Sequence, residues 1–290
     1  MNSDSIKIET LTPADMTAKA VSIGISKSAL SIGRMLLLAV LAGVYIGFGC
    51  LLASVVTAGA SGSLPYGITR LLGGLVFCLG LILVVVGGAE LFTGNALMII
   101  AWIDRKISLG SMLRNWGIVY LGNFLGSVFL AALVFIGRAY TFGGGQVGEA
   151  ILKTASTKLS YTFTQAFVLG ILCNILVCLA VWLTYSAHST TDKIMAIIFP
   201  ITAFVAAGFE HSVANMYALP MAFLIRIFDP AFAGAASLDL TSISAGNILI
   251  ANLLPVSLGN IAGGALFVGL IYALVYLPKR QNASQVITVK

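Results

Sequence analysis

The sequence predicts an all-α membrane protein with six transmembrane helices, arranged as an inverted 3+3 repeat in which the second and fifth helices are broken. Three observations carry this prediction. Apolar residues make up 59% of the chain and charged residues 9%, against about 25% charged residues in an ordinary globular domain. The apolar residues also stand in long unbroken runs, and two polar motifs each occur twice.

Four apolar runs have the length of a single membrane-spanning helix, which needs roughly 20 apolar residues. They are Met35 to Val56, Trp116 to Gly137, Phe163 to Tyr185 and Leu253 to Leu277. We expect these runs to form the first, third, fourth and sixth spans.

Two further runs are too long for one straight span and too short for two. They are Leu71 to Trp102 and Ile194 to Ile225. Each contains one acidic residue near its middle with an Asn shortly after it, Glu90 with Asn95 and Glu210 with Asn215. Because interrupted backbone at membrane depth must be buried in protein or line a wet cavity, we expect two broken helices that line a pathway.

The second repeated motif, N-x5-L-G-N-x2-G, runs from Asn115 to Gly126 and again from Asn252 to Gly263. The chain is therefore an internal duplication, with halves at about 35–137 and 163–277. Three spans in each half would place the halves in opposite orientations, and broken helices at matching places point to a transport site.

The remaining segments are a predicted amphipathic N-terminal segment, 1–34, before the channel domain at 35–277, and a C-terminal tail, 278–290. Most Lys and Arg residues fall on the side of the two termini. The positive-inside rule therefore places both termini in the cytoplasm. These basic residues are scattered between apolar runs, so nucleic-acid binding is not expected.

Few side chains in the apolar runs could carry chemistry. We expect Glu90 and Glu210 to accept hydrogen bonds from backbone N–H groups freed at the breaks. His211 is an ionisable group inside an apolar run, where such groups are costly and by default functional. It could exchange a proton near neutral pH, or it could be a neutral donor to a backbone carbonyl. Too few ligands converge for a metal site, and no cofactor is expected.

The two breaks resemble those of the formate/nitrite transporter family. The family marks are a Glu/Asp-Leu-Phe-Thr segment, here Glu90 to Thr93, and a Phe-Glu-His-Ser-x-Ala-Asn-Met segment, here Phe209 to Met216. The resemblance runs from about Lys27 to Leu277. It implies a homopentamer of aquaporin-like protomers in the bacterial cytoplasmic (inner) membrane, with one pore in each protomer.

The resemblance also implies roles for individual residues. A central pore and proton-relay group would comprise His211, Thr93, Asn174 and Glu210. A periplasmic constriction would comprise Phe77 and Phe204, and a cytoplasmic one Leu81, Leu91, Phe92 and Val177. Glu90, Asn95 and Asn215 would stabilise the breaks. Lys158 outside and Lys27 inside would attract anions into the vestibules.

The function that follows is a channel for small monovalent weak-acid anions, with no enzymatic activity of its own. The run Gly170 to Trp182 looks most like formate channels and favours formate, moved either alone or together with a proton by way of the central histidine. Nitrite and hydrosulfide remain alternatives within the family. An alternative of another class is a membrane anchor or proton-relay subunit of an enzyme complex. The N-terminal segment would serve in gating or as a passive surface anchor.

Overall fold

The computed structural model of the chain describes residues 10–60 and 62–278, and this part of the chain is built from helices joined by short turns. The first half contains α1 (Pro13–Ser28), α2 (Ile32–Thr57), α3 (Tyr66–Gly87), α4 (Gly94–Ile103) and α5 (Leu109–Ile136). The second half contains α6 (Gln146–Leu159), α7 (Phe163–Thr184), α8 (Thr190–Ala207), α9 (Ser212–Phe228), α10 (Pro230–Ala235) and α11 (Ala245–Tyr276).

Six of these helices are long and apolar enough to cross a membrane, namely α2, α3, α5, α7, α8 and α11. Helices α4 and α9 are shorter and apolar, and they follow α3 and α8 in the chain after a break. Three spans fall in each half, so the second half enters the membrane from the opposite face. The predicted fold class of six spans with the second and fifth broken is confirmed.

Both breaks begin at a glycine in the left-handed conformation. Gly88 ends α3 with φ of 77° and Gly208 ends α8 with φ of 80°, a backbone state that glycine adopts without the steric cost of a Cβ atom. The chain resumes as a 3₁₀ turn at Gly94 in the first half and as an α-helix at Ser212 in the second.

Several helices are longer than the apolar runs that predicted them. Helix α5 begins at Leu109, where the hydroxyl of Ser108 caps it by accepting the N–H of Ser111, well before Trp116. Helix α11 begins at Ala245, before Leu253. Polar residues in the first turns interrupt the apolar run without interrupting the helix. Because α2 begins at Ile32, the predicted boundary at residue 34 lies inside a helix.

The N-terminal helix α1 packs one face against α4 and leaves the other exposed. Its buried residues include Met16, Ala20 and Val21, and Gly24 lies against Ala101 of α4. Helix α1 therefore lies on the protein with one face buried, beside the first break. Residues 1–9 and 279–290, which include nearly all of the predicted tail, lie outside the described residues.

Candidate functional site

The first break is tied together by a buried ion pair and two asparagines. The Lys27 ammonium lies 2.6 Å from Glu90 Oε1. Asn95 Nδ2 donates to Glu90 Oε2 at 2.7 Å and to Asn115 Oδ1 at 2.8 Å. The Asn115 amide in turn contacts the Lys27 carbonyl at 3.5 Å. Helices α1, α4 and α5 are thereby linked at one carboxylate.

The second break repeats this network almost atom for atom. Lys158 Nζ lies 2.6 Å from Glu210 Oε1. Asn215 Nδ2 donates to Glu210 Oε2 and to Asn252 Oδ1, both at 2.7 Å. Asn252 Nδ2 donates to the Lys158 carbonyl at 3.2 Å. The duplication thus includes α1 and α6, so each repeat is longer than the predicted halves.

The structure corrects the partners expected for the two glutamates. Their carboxylates accept from Lys and Asn side chains, whereas the freed N–H groups of Phe92 and Ser212 donate to Asn123 Oδ1 and Asn260 Oδ1, each at 2.9 Å. A buried carboxylate is stabilised most by a cation, which leaves the neutral amides to cap the backbone.

Asn123 and Asn260 are therefore break residues that the sequence analysis missed. Each also donates to the glutamate carbonyl of its own break, Asn123 to Glu90 O and Asn260 to Glu210 O, at 2.9 Å in both cases. The signal was available, because each is the Asn of the repeated Leu-Gly-Asn segment. The sequence marked that segment as a repeat without indicating what it contacts.

Lys27 and Lys158 are predicted to attract anions, and in the structure both are ion-paired. Their side chains keep 23% and 18% exposure, while the paired carboxylates are nearly inaccessible. Glu210, expected beside the central histidine, is held in this network instead. The proposed attraction of anions would therefore come from a lysine whose charge is largely balanced by its glutamate.

His211 lies in the second break, contacts Thr93 of the first break and caps α9. Its Nδ1 accepts the backbone N–H of Ala214 at 3.0 Å, and its Nε2 lies 2.9 Å from Thr93 Oγ1. Since Nδ1 accepts a hydrogen bond, the neutral ring carries its proton on Nε2 and donates it to the Thr93 hydroxyl. The alternative of a bond to a backbone carbonyl is wrong, because the partner is this hydroxyl.

Asn174, on α7, joins the same group of residues. Its Nδ2 donates to the Thr93 carbonyl at 3.1 Å and to the Asn260 carbonyl at 2.6 Å. Both partners are acceptors, so the orientation of the amide is fixed. Its Oδ1 is buried without a hydrogen-bond partner. An unpaired buried acceptor is costly in a folded protein and marks a place where a ligand or water could donate.

Two phenylalanine rings lie beside His211. The rings of Phe77 and Phe204 meet edge to face, with centroids 5.5 Å apart and planes at 88°. The Phe204 ring also stacks on the His211 imidazole at 5.8 Å. The residues of the predicted periplasmic constriction are thus brought together, on α3 and α8, and Phe204 contacts His211.

The four residues of the predicted cytoplasmic constriction are all buried, and two of them line one cavity. Leu81 and Leu91 line a cavity of about 260 Å³, together with Lys27 and Glu90. Phe92 packs edge-on against the Tyr120 ring, with centroids 4.9 Å apart. Val177 is buried without lining that cavity.

Two basic residues that were not predicted as site residues donate hydrogen bonds to carbonyls at helix ends. Arg70 donates through Nε to the Ala206 carbonyl at 3.0 Å and through Nη2 to the Val205 carbonyl, at the end of α8. Lys19 donates to the Tyr185 carbonyl at 2.5 Å, at the end of α7. A positive charge stabilises the C-terminal end of a helix. Arg70 thus helps to fix the second break.

The described residues contain no group of three or more His, Cys, Asp or Glu side chains placed to hold a metal ion.

Comparison with known proteins gives consistent matches over most of the chain. The family model for formate/nitrite transporters matches residues 14–274. Formate channel FocA of Escherichia coli K12 is 41% identical over 276 residues, which cover 94% of this chain and 96% of that protein. Formate channel FocA of Haemophilus influenzae is 46% identical over 217 residues, covering 73% of this chain and 76% of that protein.

Solved structures of similar fold are also channels. A pentameric formate channel with formate bound is 47% identical, with a TM-score of 0.79, and the match covers 85% of this chain and 98% of that one. An ion channel of the FNT family is 30% identical, with a TM-score of 0.74, over 89% of this chain and 97% of that one.

Proposed function

This chain belongs to the formate/nitrite transporter family, and from that premise we propose that it is a homopentameric formate channel in the bacterial inner membrane, with both termini in the cytoplasm. The observation that carries the proposal is 47% identity to a pentameric channel with formate bound. The excess of Lys and Arg on the side of the termini supports the orientation. Its relatives are channels and transporters, so the chain is not an enzyme.

The proposed path runs along the two breaks. It passes the Phe77 and Phe204 rings, then the Thr93 and His211 side chains, and then Leu81 and Leu91 at the cavity. A bare carboxylate between apolar rings is unfavourable because nothing there replaces its hydration. We therefore propose that the weak acid crosses this segment in its neutral, protonated form.

The hydrogen-bonding groups at the centre fit a neutral acid better than an anion. Thr93 Oγ1 accepts from His211, so its own O–H is available to donate to an oxygen of the permeant. Asn174 Oδ1 is an unpaired acceptor. Formic acid offers both an acceptor oxygen and an O–H donor. Formate offers acceptors only, so one of its oxygens would face Asn174 Oδ1 with no proton between the two oxygens.

His211 serves in this scheme as a fixed donor to Thr93. An additional proton would have to enter at Nδ1, which would break the hydrogen bond from Ala214 N–H that caps α9. Losing such a cap costs about 1 kcal/mol. The geometry therefore favours a ring that remains neutral while the permeant passes, with the permeant carrying its own proton.

The test is formate flux into proteoliposomes that contain the purified full-length protein, measured across a pH series. Flux that rises as the external pH falls supports transport of the neutral acid. The fluxes of nitrite and hydrosulfide are measured in the same preparation. If either flux clearly exceeds that of formate, that anion is the substrate instead of formate. Absence of flux for all three, with an intact pentamer, would overturn the proposal and favour an anchoring role.

A further inference from the structure

Matching hydrogen bonds show which residues of the two halves correspond to each other. Asn123 Nδ2 donates to the Ala39 carbonyl of α2, and Asn260 Nδ2 donates to the Gly170 carbonyl of α7. Ala39 of the first half therefore corresponds to Gly170 of the second. Four residues further along each helix, Gly43 corresponds to Asn174.

The same correspondence aligns α5 with α11. The repeated motif ends at Gly126 in the first half and at Gly263 in the second, and it is followed by Ser127 and Gly264, respectively. In the first half Ser127 Oγ donates to the Gly43 carbonyl at 3.2 Å, so the side chain is on α5 and the glycine on α2.

The second half reverses this arrangement. The side chain, Asn174, is on α7 and the glycine, Gly264, is on α11. A Cβ atom on Gly264 would lie 2.5 Å from Asn174 Nδ2, 2.6 Å from Cys178 Sγ and 2.7 Å from Ala96 Cβ. Real Cβ atoms essentially never approach other atoms this closely. Any side chain at position 264 must displace at least one of these three groups.

Of these three groups, the Asn174 amide would lose the most hydrogen bonds if it were displaced. Through the Thr93 carbonyl it reaches the first break, and through Asn260, which accepts the Ser212 N–H, it reaches the second. Helix α11 is π-helical over Ala262–Leu270, around Gly264, and such wide turns are frequent at functional sites. One amide thus links both breaks, and Gly264 provides the space in which it sits.

We propose that Gly264 is a positioning residue that holds the Asn174 amide across the two breaks and so aims the unpaired Asn174 Oδ1 at the centre of the path. Because the corresponding position of the first half is Gly43, the centre carries one amide instead of a symmetric pair. The inference rests on the proposed function, since the acceptor matters only if a small acid passes it.

The test is a double-mutant cycle of formate flux in proteoliposomes, with G264A and N174A measured singly and together. If Gly264 acts through Asn174, G264A lowers flux by about tenfold in the native background and has little further effect in N174A, because residues in contact are strongly coupled. Gly269→Ala, in the same π-helical segment but packed on Ile99, is the matched control and should leave flux per pentamer unchanged.

One further variant, G264A/C178A, and the assembly of each variant into pentamers make the cycle decisive. Should G264A fail to assemble, recovery of the pentamer in G264A/N174A supports the proposal, whereas recovery in G264A/C178A alone assigns the glycine to Cys178 and overturns it. Equal losses from G264A in both backgrounds, or no loss in either, also overturn it. Absence of formate flux in the native protein would instead remove the proposed function itself.

Discussion

His211 occupies in the second half the position that Leu91 occupies in the first, directly after the glutamate of the break. The two breaks share their backbone capping by Asn123 and Asn260, but only His211 has a side chain that can cap the helix that follows. This difference explains why α9 starts as an α-helix while α4 starts as a 3₁₀ turn. One residue therefore has two tasks, capping a helix and donating to Thr93.

The two tasks of His211 can be separated by substitution. His211→Asn retains a side chain that caps helices well, while His211→Ala loses the cap at a cost of about 1 kcal/mol. We expect both variants to have lower formate flux, because neither can donate to Thr93 in the same geometry, and only the Ala variant to melt at a lower temperature. Thermal melting of the pentamer and proteoliposome flux measure the two effects.

The exposed His188, between α7 and α8, provides the control for these variants. His188→Ala should leave the pH profile of formate flux unchanged. Native flux in His211→Asn would contradict a role for the Nε2 donor.

Removal of one member of a buried ion pair should destabilise the second break. Lys158→Met leaves the Glu210 carboxylate buried without its cation, which costs about 3 to 5 kcal/mol. The double variant Lys158→Met with Glu210→Gln should recover much of this loss, because no charge remains. Melting of the purified pentamer measures both, and Lys153→Ala, on the exposed side of α6, is the control. If Lys158→Met melts at the same temperature as the native protein, the ion pair between Lys158 and Glu210 contributes nothing to stability.

Phe204 is expected to control the size of the permeant. Phe204→Ala removes the ring that contacts both Phe77 and His211, so the flux of acetate should increase relative to that of formate. The flux ratio of the two acids in proteoliposomes measures this selectivity. Phe199→Ala, on the exposed side of the same helix, removes an equal ring away from the path. An unchanged ratio in Phe204→Ala would exclude Phe204 from the constriction.

A contact outside the spans should make stability depend on pH. The Tyr140 hydroxyl donates to Asp229 Oδ2 at 2.7 Å and, as the main cause, lowers the pKa of that carboxyl. A lowered pKa in the folded state stabilises the protein above the ordinary value of about 4, and this contribution is lost as the pH falls through the folded value.

Tyr140→Phe should therefore melt at a lower temperature than the native protein at pH 7, and the difference should shrink below about pH 4. Tyr66→Phe, at a highly exposed position, should show no difference at either pH. A Tyr140→Phe deficit that stays constant with pH would show that the hydroxyl does not stabilise the protein through the ionised Asp229 carboxylate.

The sequence by itself determined the fold class and the location of both breaks. In a bilayer, the backbone N–H and C=O groups of a long apolar run find their hydrogen-bond partners within a helix. The two runs with Glu90 and Glu210 near their centres have the wrong length for straight spans. The family motifs also identified Thr93, Asn174 and His211, which the structure brings into one hydrogen-bonded group.

Only the tertiary structure decided which groups form the hydrogen bonds and ion pairs at the two breaks. Asn123 and Asn260 cap backbone N–H groups far away in the chain, and Lys27 and Lys158 reach carboxylates on other helices. The two halves also differ in which helix carries the glycine. In the first half Gly43 of α2 faces Ser127 of α5, and in the second half Asn174 of α7 faces Gly264 of α11. This difference is visible only when the helices pack. Periodicity and length are properties of each segment alone, whereas a buried polar group takes its partner from whichever helix packing brings within hydrogen-bonding distance.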